Sequence, residues 1–214
     1  MQTALDNPSR PAGVRVGAGG DGYPFLVDET NRTFQEVTRR TLHRGRKFDF
    51  EQVVLRTPAG EEFARECVRH PGAVVILPIV QAPGQTPRVV FVRNERFALG
   101  KALLELPAGT REQGEDPIRT AARELLEETG YQAATLTPLG RFHTTPGMTD
   151  ELMWAYAATG LTHLGQRPEP DEALSVVLCD AHEALAMASD GRLADAKSIA
   201  TILIAHQRGL IPRI

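Results

Sequence analysis

The spacing of hydrophobic positions changes along the chain. Between 48 and 55, Phe48, Phe50, Val53, Val54 and Leu55 stand among polar neighbours, and Thr57-Pro58-Ala59-Gly60 follows as a turn. Phe63 and Cys67 continue an extended stretch, so residues 23–69 read as a small N-terminal antiparallel β unit. From Pro71 the apolar runs become short and nearly unbroken. Residues 73–80, 89–92 and 102–106 therefore read as buried strands. A helix is expected over 117–129, more strands over 134–143, 151–159 and 173–179, and two closing helices over 181–189 and 195–207. Gly191 between those helices suits a helix end. The order is mixed α/β, with no internal repeat.

Composition narrows the classes. The 214 residues carry 24 Lys+Arg against 27 Asp+Glu, a formal charge of −3, with 42% hydrophobic residues. That balance excludes disorder and leaves no positive excess for a nucleic-acid backbone, so no nucleic-acid partner is expected. Residues 32–47 nevertheless gather Arg32, Arg39, Arg40, Arg44, Arg46 and Lys47 against Glu36 alone, either a solvated strand face or a local surface for an anion. The longest uncharged stretch, from Pro71 to Pro87, holds four prolines and cannot be a spanning helix, so no membrane association is expected. Cys67 and Cys179 are too few for a disulfide framework and read as buried thiols in a reducing compartment. With no basic start followed by an apolar run at the N-terminus, a cytoplasmic location is expected. Residues 1–22 read as a flexible tail. Gly17, Gly19 and Gly22 spell GxGxxG there, but Tyr23-Pro24 follows where a dinucleotide site needs a helix.

The chemistry lies in residues 105–130, ELPAGTREQGEDPIRTAARELLEETG. Asp116 is a good N-cap, Pro117 fits the first helical position and Gly130 fits the stop. Ile118, Ala121, Ala122, Leu125 and Leu126 recur at helical spacing and are expected to form the core face. Glu124, Glu127 and Glu128 crowd one side, toward a helix C-terminus whose dipole disfavours anions. Such an arrangement makes local sense if a cation sits there. Carboxylates beside a Gly-rich turn whose carbonyls are free, Pro107-Ala108-Gly109, form a hard oxygen site of the kind Mg²⁺ or Mn²⁺ prefers.

These residues resemble the Nudix box, GX5EX7REUXEEXGU. Gly109, Glu115, Arg123-Glu124-Leu125, Glu127-Glu128 and Gly130 occupy its fixed positions, and Tyr131 replaces the final aliphatic residue. The resemblance implies a Nudix α/β/α sandwich with a mixed sheet over 70–214, preceded by the 23–69 unit, and hydrolysis of a nucleoside diphosphate joined to another group. His70-Pro71-Gly72-Ala73-Val74, Glu105-Leu106-Pro107, Pro146 sixteen residues after Gly130, and Asp195-Ala196-Lys197-Ser198-Ile199 are similar to the ADP-ribose pyrophosphatase branch. That branch implies a homodimer formed through the N-terminal β unit and hydrolysis of ADP-ribose. GDP-mannose is the alternative nucleotide sugar. A catalytically silent nucleotide-binding module is the alternative of another class, and a triphosphatase role is disfavoured by Pro146 and the extra N-terminal unit.

Carried over residue by residue, the resemblance makes the Ala108 carbonyl, Glu124 and Glu128 ligands of Mg²⁺ or Mn²⁺, with Glu127 sharing or supporting that role. Arg123 with Glu115 holds the loop against the helix, and Glu105 supports from behind. Glu151 is the expected general base, with Asp150 its competitor. Arg93, Arg96 and Arg65 are expected to meet the substrate. Phe48 is read as a core residue before a base-stacking one. His70 is read as a hydrogen bonder at a strand entry, and Trp154 as core or interface.

Overall fold

A computed structural model of the chain describes residues 32–167 and 174–211, together with the backbone of 16–18 and 24–26. Helix α1, Pro117–Thr129, is set by its ends. The Asp116 side chain accepts from the Ile118 N–H, Pro117 opens the helix, and Gly130 closes it at φ 74°. Its buried stripe differs from expectation. Ala121 and Leu125 are fully buried, but Ile118 is 39% exposed and Ala122 faces solvent. Glu124 and Glu128 take the place of those residues in the buried stripe. The helix is thus rotated so that carboxylates, and not alkyl groups, line one of its seams.

The main sheet has seven strands. Its path is β10 (Tyr131–His143), β11 (Leu152–His163), β6 (Ala73–Val80), β7 (Arg88–Arg96) and β12 (Leu174–Asp180), while β8 (Lys101–Glu105) pairs with β7 and β9 (Ala108–Thr110) with β6. β6 and β11 run parallel and the other pairs are antiparallel, so the sheet is mixed. β6 explains its own unbroken apolar run because both faces are covered. Val75, Leu77 and Ile79 pack with Ala184 of α2 (Ala181–Asp190) and Ile202 and Ala205 of α3 (Ala196–Gln207). Val74 and Ile76 point the other way, onto Ala121 and Leu125 of α1. Helices on both faces of one mixed sheet give the α/β/α sandwich.

Strands β3 (Gln35–Arg44), β4 (Asp49–Arg56) and β5 (Glu62–Arg69) form a separate three-stranded sheet in that order. The chain divides into two compact units, Met1–Arg40 with Gln52–Arg65, and Thr41–Glu51 with Glu66–Ile214. The expectation for residues 1–22 falls outside the described residues except for β1 (Val16–Ala18), which pairs antiparallel with β2 (Pro24–Leu26). β9 was not foreseen, since Ala108-Gly109-Thr110 reads as a turn. Cys67 and Cys179 are free but only partly buried, because each lies on a strand with a solvent face. No described helix is long and apolar enough to cross a membrane.

Candidate active site

The second unit contains a cleft of about 850 Å³ where α1 meets β9. Glu124 and Glu128, one turn apart, are 7% and 3% exposed and both line it. Glu128 Oε2 accepts from the Ala108 N–H at 2.9 Å, which pins β9 to the helix. Gly109 lies against the Glu124 carboxylate so closely that no side chain fits between them.

Arg123 gathers the remaining carboxylates of the segment. Its Nη1 donates to Glu124 Oε1 at 2.8 Å and to Glu127 Oε2 at 3.0 Å. Its Nη2 and Nε reach Glu115 at 3.2 and 3.3 Å, and Nη2 also meets the Thr110 carbonyl. These bonds lower the Glu115 pKa to about 2, against burial and with help from the Glu112 N–H. Burial alone would weaken the charge on Arg123, but the carboxylates outweigh it and raise its pKa. Two of the three like charges that repel along an isolated helix, Glu124 and Glu127, are therefore tied to one guanidinium.

A second knot lies behind the cleft. Glu105 is 1% exposed and receives Arg96 through both oxygens, at 2.8 and 2.5 Å, and Lys197 Nζ at 2.5 Å. Burial pushes its carboxyl up, yet Arg96 and Lys197 together hold it below the ordinary carboxylate range. The Glu105 hydrogen bond in turn raises the Arg96 pKa. Lys197 also bonds Asp195 at 2.9 Å, and Ser198 Oγ joins Asp195 to the Leu106 N–H. The N-terminus of α3 thus clamps the strand leading into β9.

Arg96 lines the cleft, held by a fork that leaves Nη1 outside its two bonds to Glu105. Arg93 is exposed on β7 and is not among the cleft residues; a separation of three along a strand puts it on the opposite face from Arg96. Arg65 belongs to the first unit, where its guanidinium lies 4.8 Å from the Phe63 ring centroid. Phe48 is not a core residue. It is 52% exposed, lines the cleft and stacks on His70 at 6.2 Å, because it sits at the hairpin end of β4. Glu151 precedes β11, its Oε2 accepting from Thr144 Oγ1 at 2.5 Å and its Oε1 lying 3.6 Å from His70 Nε2. Neighbouring Asp150 is occupied by the His70 N–H at 2.8 Å and by Arg69 at 2.7 Å. Trp154 packs against Gly72 and carries Arg111 over its ring at 4.6 Å.

Among the described residues, no three His, Cys, Asp or Glu side chains already stand together as an ion cage. The donor set still fits a hard divalent cation: two buried carboxylates one turn apart and a third beside them on the same helix, all offering oxygen. Lys197, Thr144 and Arg111 were not foreseen as parts of this architecture. Lys197 stood only within the Asp195–Ile199 segment of the resemblance, with no role attached to it.

The Nudix domain profile matches residues 69–202. The chain belongs to the Nudix family. Its match to the ADP-ribose pyrophosphatase of Mycobacterium tuberculosis is 37% identical over 177 residues, 81% of this chain and 83% of that protein. The ADP-ribose pyrophosphatase of Bacillus subtilis is 34% identical over 164 residues, 76% and 86% respectively. A crystal structure of an ADP compounds hydrolase superposes with a TM-score of 0.72 at 21% identity, covering 85% of this chain and 97% of that one, and supports the same fold. With the Nudix box complete from Gly109 to Gly130, the chain is a Nudix hydrolase.

Proposed function

We propose that this Nudix hydrolase cleaves the diphosphate of ADP-ribose to AMP and ribose 5-phosphate, using Mg²⁺ with Mn²⁺ as a substitute. The observation that carries this reading is the seam between α1 and β9, where Glu124 and Glu128 meet Ala108 and Gly109 in a cleft of nucleotide size. The likeness to ADP-ribose pyrophosphatases at 34–37% identity supports the choice of substrate.

Glu124, Glu128 and the Ala108 carbonyl would hold the cation, with Glu127 supporting them. When bound there, a divalent ion would offset the diphosphate charge and would lower the pKa of the attacking water. Arg123 fixes the carboxylates in register. Arg96, oriented by Glu105, offers its free nitrogen to a phosphate oxygen; Arg93, on the opposite face of β7, takes no part, and Arg65 is assigned to substrate bound by a partner copy. Glu151 accepts the proton of the attacking water as the P–O bond to the leaving phosphate ester breaks. The chain acts as a homodimer through its N-terminal β unit; exposed Leu42 and Phe50 on β3 and β4 support that assembly. Its free cysteines suit the cytoplasm.

The test is incubation with Mg²⁺ and a panel of ADP-ribose, ADP-glucose, GDP-mannose, NADH and dGTP. AMP and ribose 5-phosphate released in equal amounts from ADP-ribose, faster than any other turnover, is the expected result. Preference for GDP-mannose would move the assignment to that sugar. No turnover of any member, with Mg²⁺ or Mn²⁺, would leave a silent nucleotide-binding module.

A further inference from the structure

We infer that His70 is a positioning residue for Glu151, holding its carboxylate from one side while Thr144 holds it from the other; the inference rests on Glu151 being the proton acceptor proposed above. His70 Nδ1 accepts from the Gly72 N–H at 3.0 Å. A ring nitrogen that accepts carries no proton, so the neutral imidazole keeps its hydrogen on Nε2. That nitrogen lies 3.6 Å from Glu151 Oε1, while Oε2 takes the Thr144 hydroxyl at 2.5 Å. Both His70 and Glu151 are mostly withdrawn from solvent.

The frame around the pair is rigid. Gly72 has φ 91°, and a β-carbon there would strike the Trp154 ring at 2.5 Å, so the direction of its N–H is fixed by packing. The loop that carries Glu151 is tied to the strand end that carries His70. Val68 N–H donates to the Met148 carbonyl at 2.9 Å, and Asp150 N–H to the Val68 carbonyl at 3.3 Å. Asp150 accepts the His70 N–H and the Arg69 guanidinium. Phe48 stacks on the imidazole at an interplanar angle of 27° and limits its swing. A gap of 3.6 Å is longer than a hydrogen bond, as catalytic contacts commonly are before substrate tightens them. The imidazole thus stands with Nε2 facing one oxygen of the base while Thr144 bonds the other, so that closing the gap would leave the carboxylate a single orientation.

The deciding variant is His70→Asn. Its Oδ1 stands where Nδ1 stands and keeps the Gly72 bond, but its side chain ends short of Glu151. We expect kcat on ADP-ribose to fall about 10- to 100-fold with KM unchanged. The loss should vanish in a Glu151→Gln background, since a positioning residue has nothing left to position. Nitrogen-15 NMR of the wild-type protein should show the His70 proton on Nε2, with that resonance moving in Glu151→Gln. Normal kcat in His70→Asn beside an impaired Glu151→Gln, losses that add in the double variant, or a proton on Nδ1 would each overturn the inference. Normal turnover in Glu151→Gln would instead remove Glu151 as proton acceptor. The NMR response would still decide whether His70 holds its carboxylate.

Discussion

A β-carbon at residue 109 would lie 1.9 Å from Cδ of Glu124 and 2.1 and 2.3 Å from its two oxygens. The glycine that opens the box is therefore dictated by space, not by backbone conformation: the carboxylate occupies the volume a side chain would need. Gly109→Ala must displace either β9 or Glu124. Displacing Glu124 would misplace the proposed cation ligand, and misplacement of about 1 Å costs about 100-fold in rate. Overpacking of this kind costs about 1–3 kcal/mol of stability. Turnover of ADP-ribose and urea unfolding of Gly109→Ala measure the two effects. Activity close to wild type would show that the carboxylate has room to move.

Glu115 gives the protein a signature in acid. Its folded pKa of about 2 lies below the ordinary carboxylate value of 4.5, chiefly through Arg123. A depressed folded pKa contributes stability that is fully present above the unfolded value and is lost as pH falls through the folded one. The window therefore runs from about 4.5 down to about 2. Arg123→Gln removes the cause, so the stability gap between wild type and variant should shrink across that window. Urea midpoints measured from pH 5 to pH 2 test this. A gap that stays constant would mean that Arg123 stabilises through Glu124 and Glu127 alone.

Helix α1 was legible because its signals are local: Asp116, Pro117 and Gly130 mark its ends within the helix and one residue beyond. β6 was legible because a strand covered on both faces leaves an unbroken apolar run. The box carboxylates stood out through their spacing taken together with the Gly-rich turn and the resemblance to the Nudix box. The burial stripe of α1 was misjudged at Ile118 and Ala122, since hydrophobic periodicity counts glutamates as solvent-facing, and here the Arg123 guanidinium on Glu124 and the Ala108 N–H on Glu128 override that rule. Phe48 was misplaced for a related reason: an apolar residue between strands reads as core unless its surroundings are known. Contacts such as Lys197 with Glu105, 92 positions apart, have no local trace. Arg93 and Arg96 could have been separated in advance, because an odd spacing on a strand sends two side chains to opposite faces.

Glu105 should link stability to substrate binding. It is a buried anion satisfied by two cations, one of which, Arg96, faces the cleft. Glu105→Gln keeps the shape and removes the charge, leaving Lys197 with Asp195 alone and Arg96 without its fork. Breaking one side of a buried ionic group costs about 3–5 kcal/mol; because Arg96 is 41% exposed and can turn to water, a loss of about 2 kcal/mol is expected. KM for ADP-ribose should rise as Arg96 loses its orientation. Calorimetry and steady-state kinetics separate the two. Lower stability with unchanged KM would confine Glu105 to a structural role.

The two buried carboxylates of α1 should show a division between folding and function. Glu124 and Glu128 are withdrawn from solvent beside each other on a helix whose dipole opposes them there, an arrangement that serves the fold poorly without a cation. Glu128→Gln retains an acceptor for the Ala108 N–H while deleting one charge, and Glu124→Gln does the same beside Arg123. Neither change should lower the melting temperature by more than a degree or two in the absence of divalent ions. Wild type should gain stability as Mg²⁺ is added, by about 2.7 kcal/mol at a hundred times its dissociation constant, because the ion binds the folded state alone. The Glu124→Gln and Glu128→Gln variants should lose both that gain and turnover, while a surface change such as Glu61→Gln should lose neither. Thermal melts with and without Mg²⁺, run beside activity assays, decide the point. A Mg²⁺-dependent rise that survives in both variants would place the cation away from α1 and detach the box carboxylates from it.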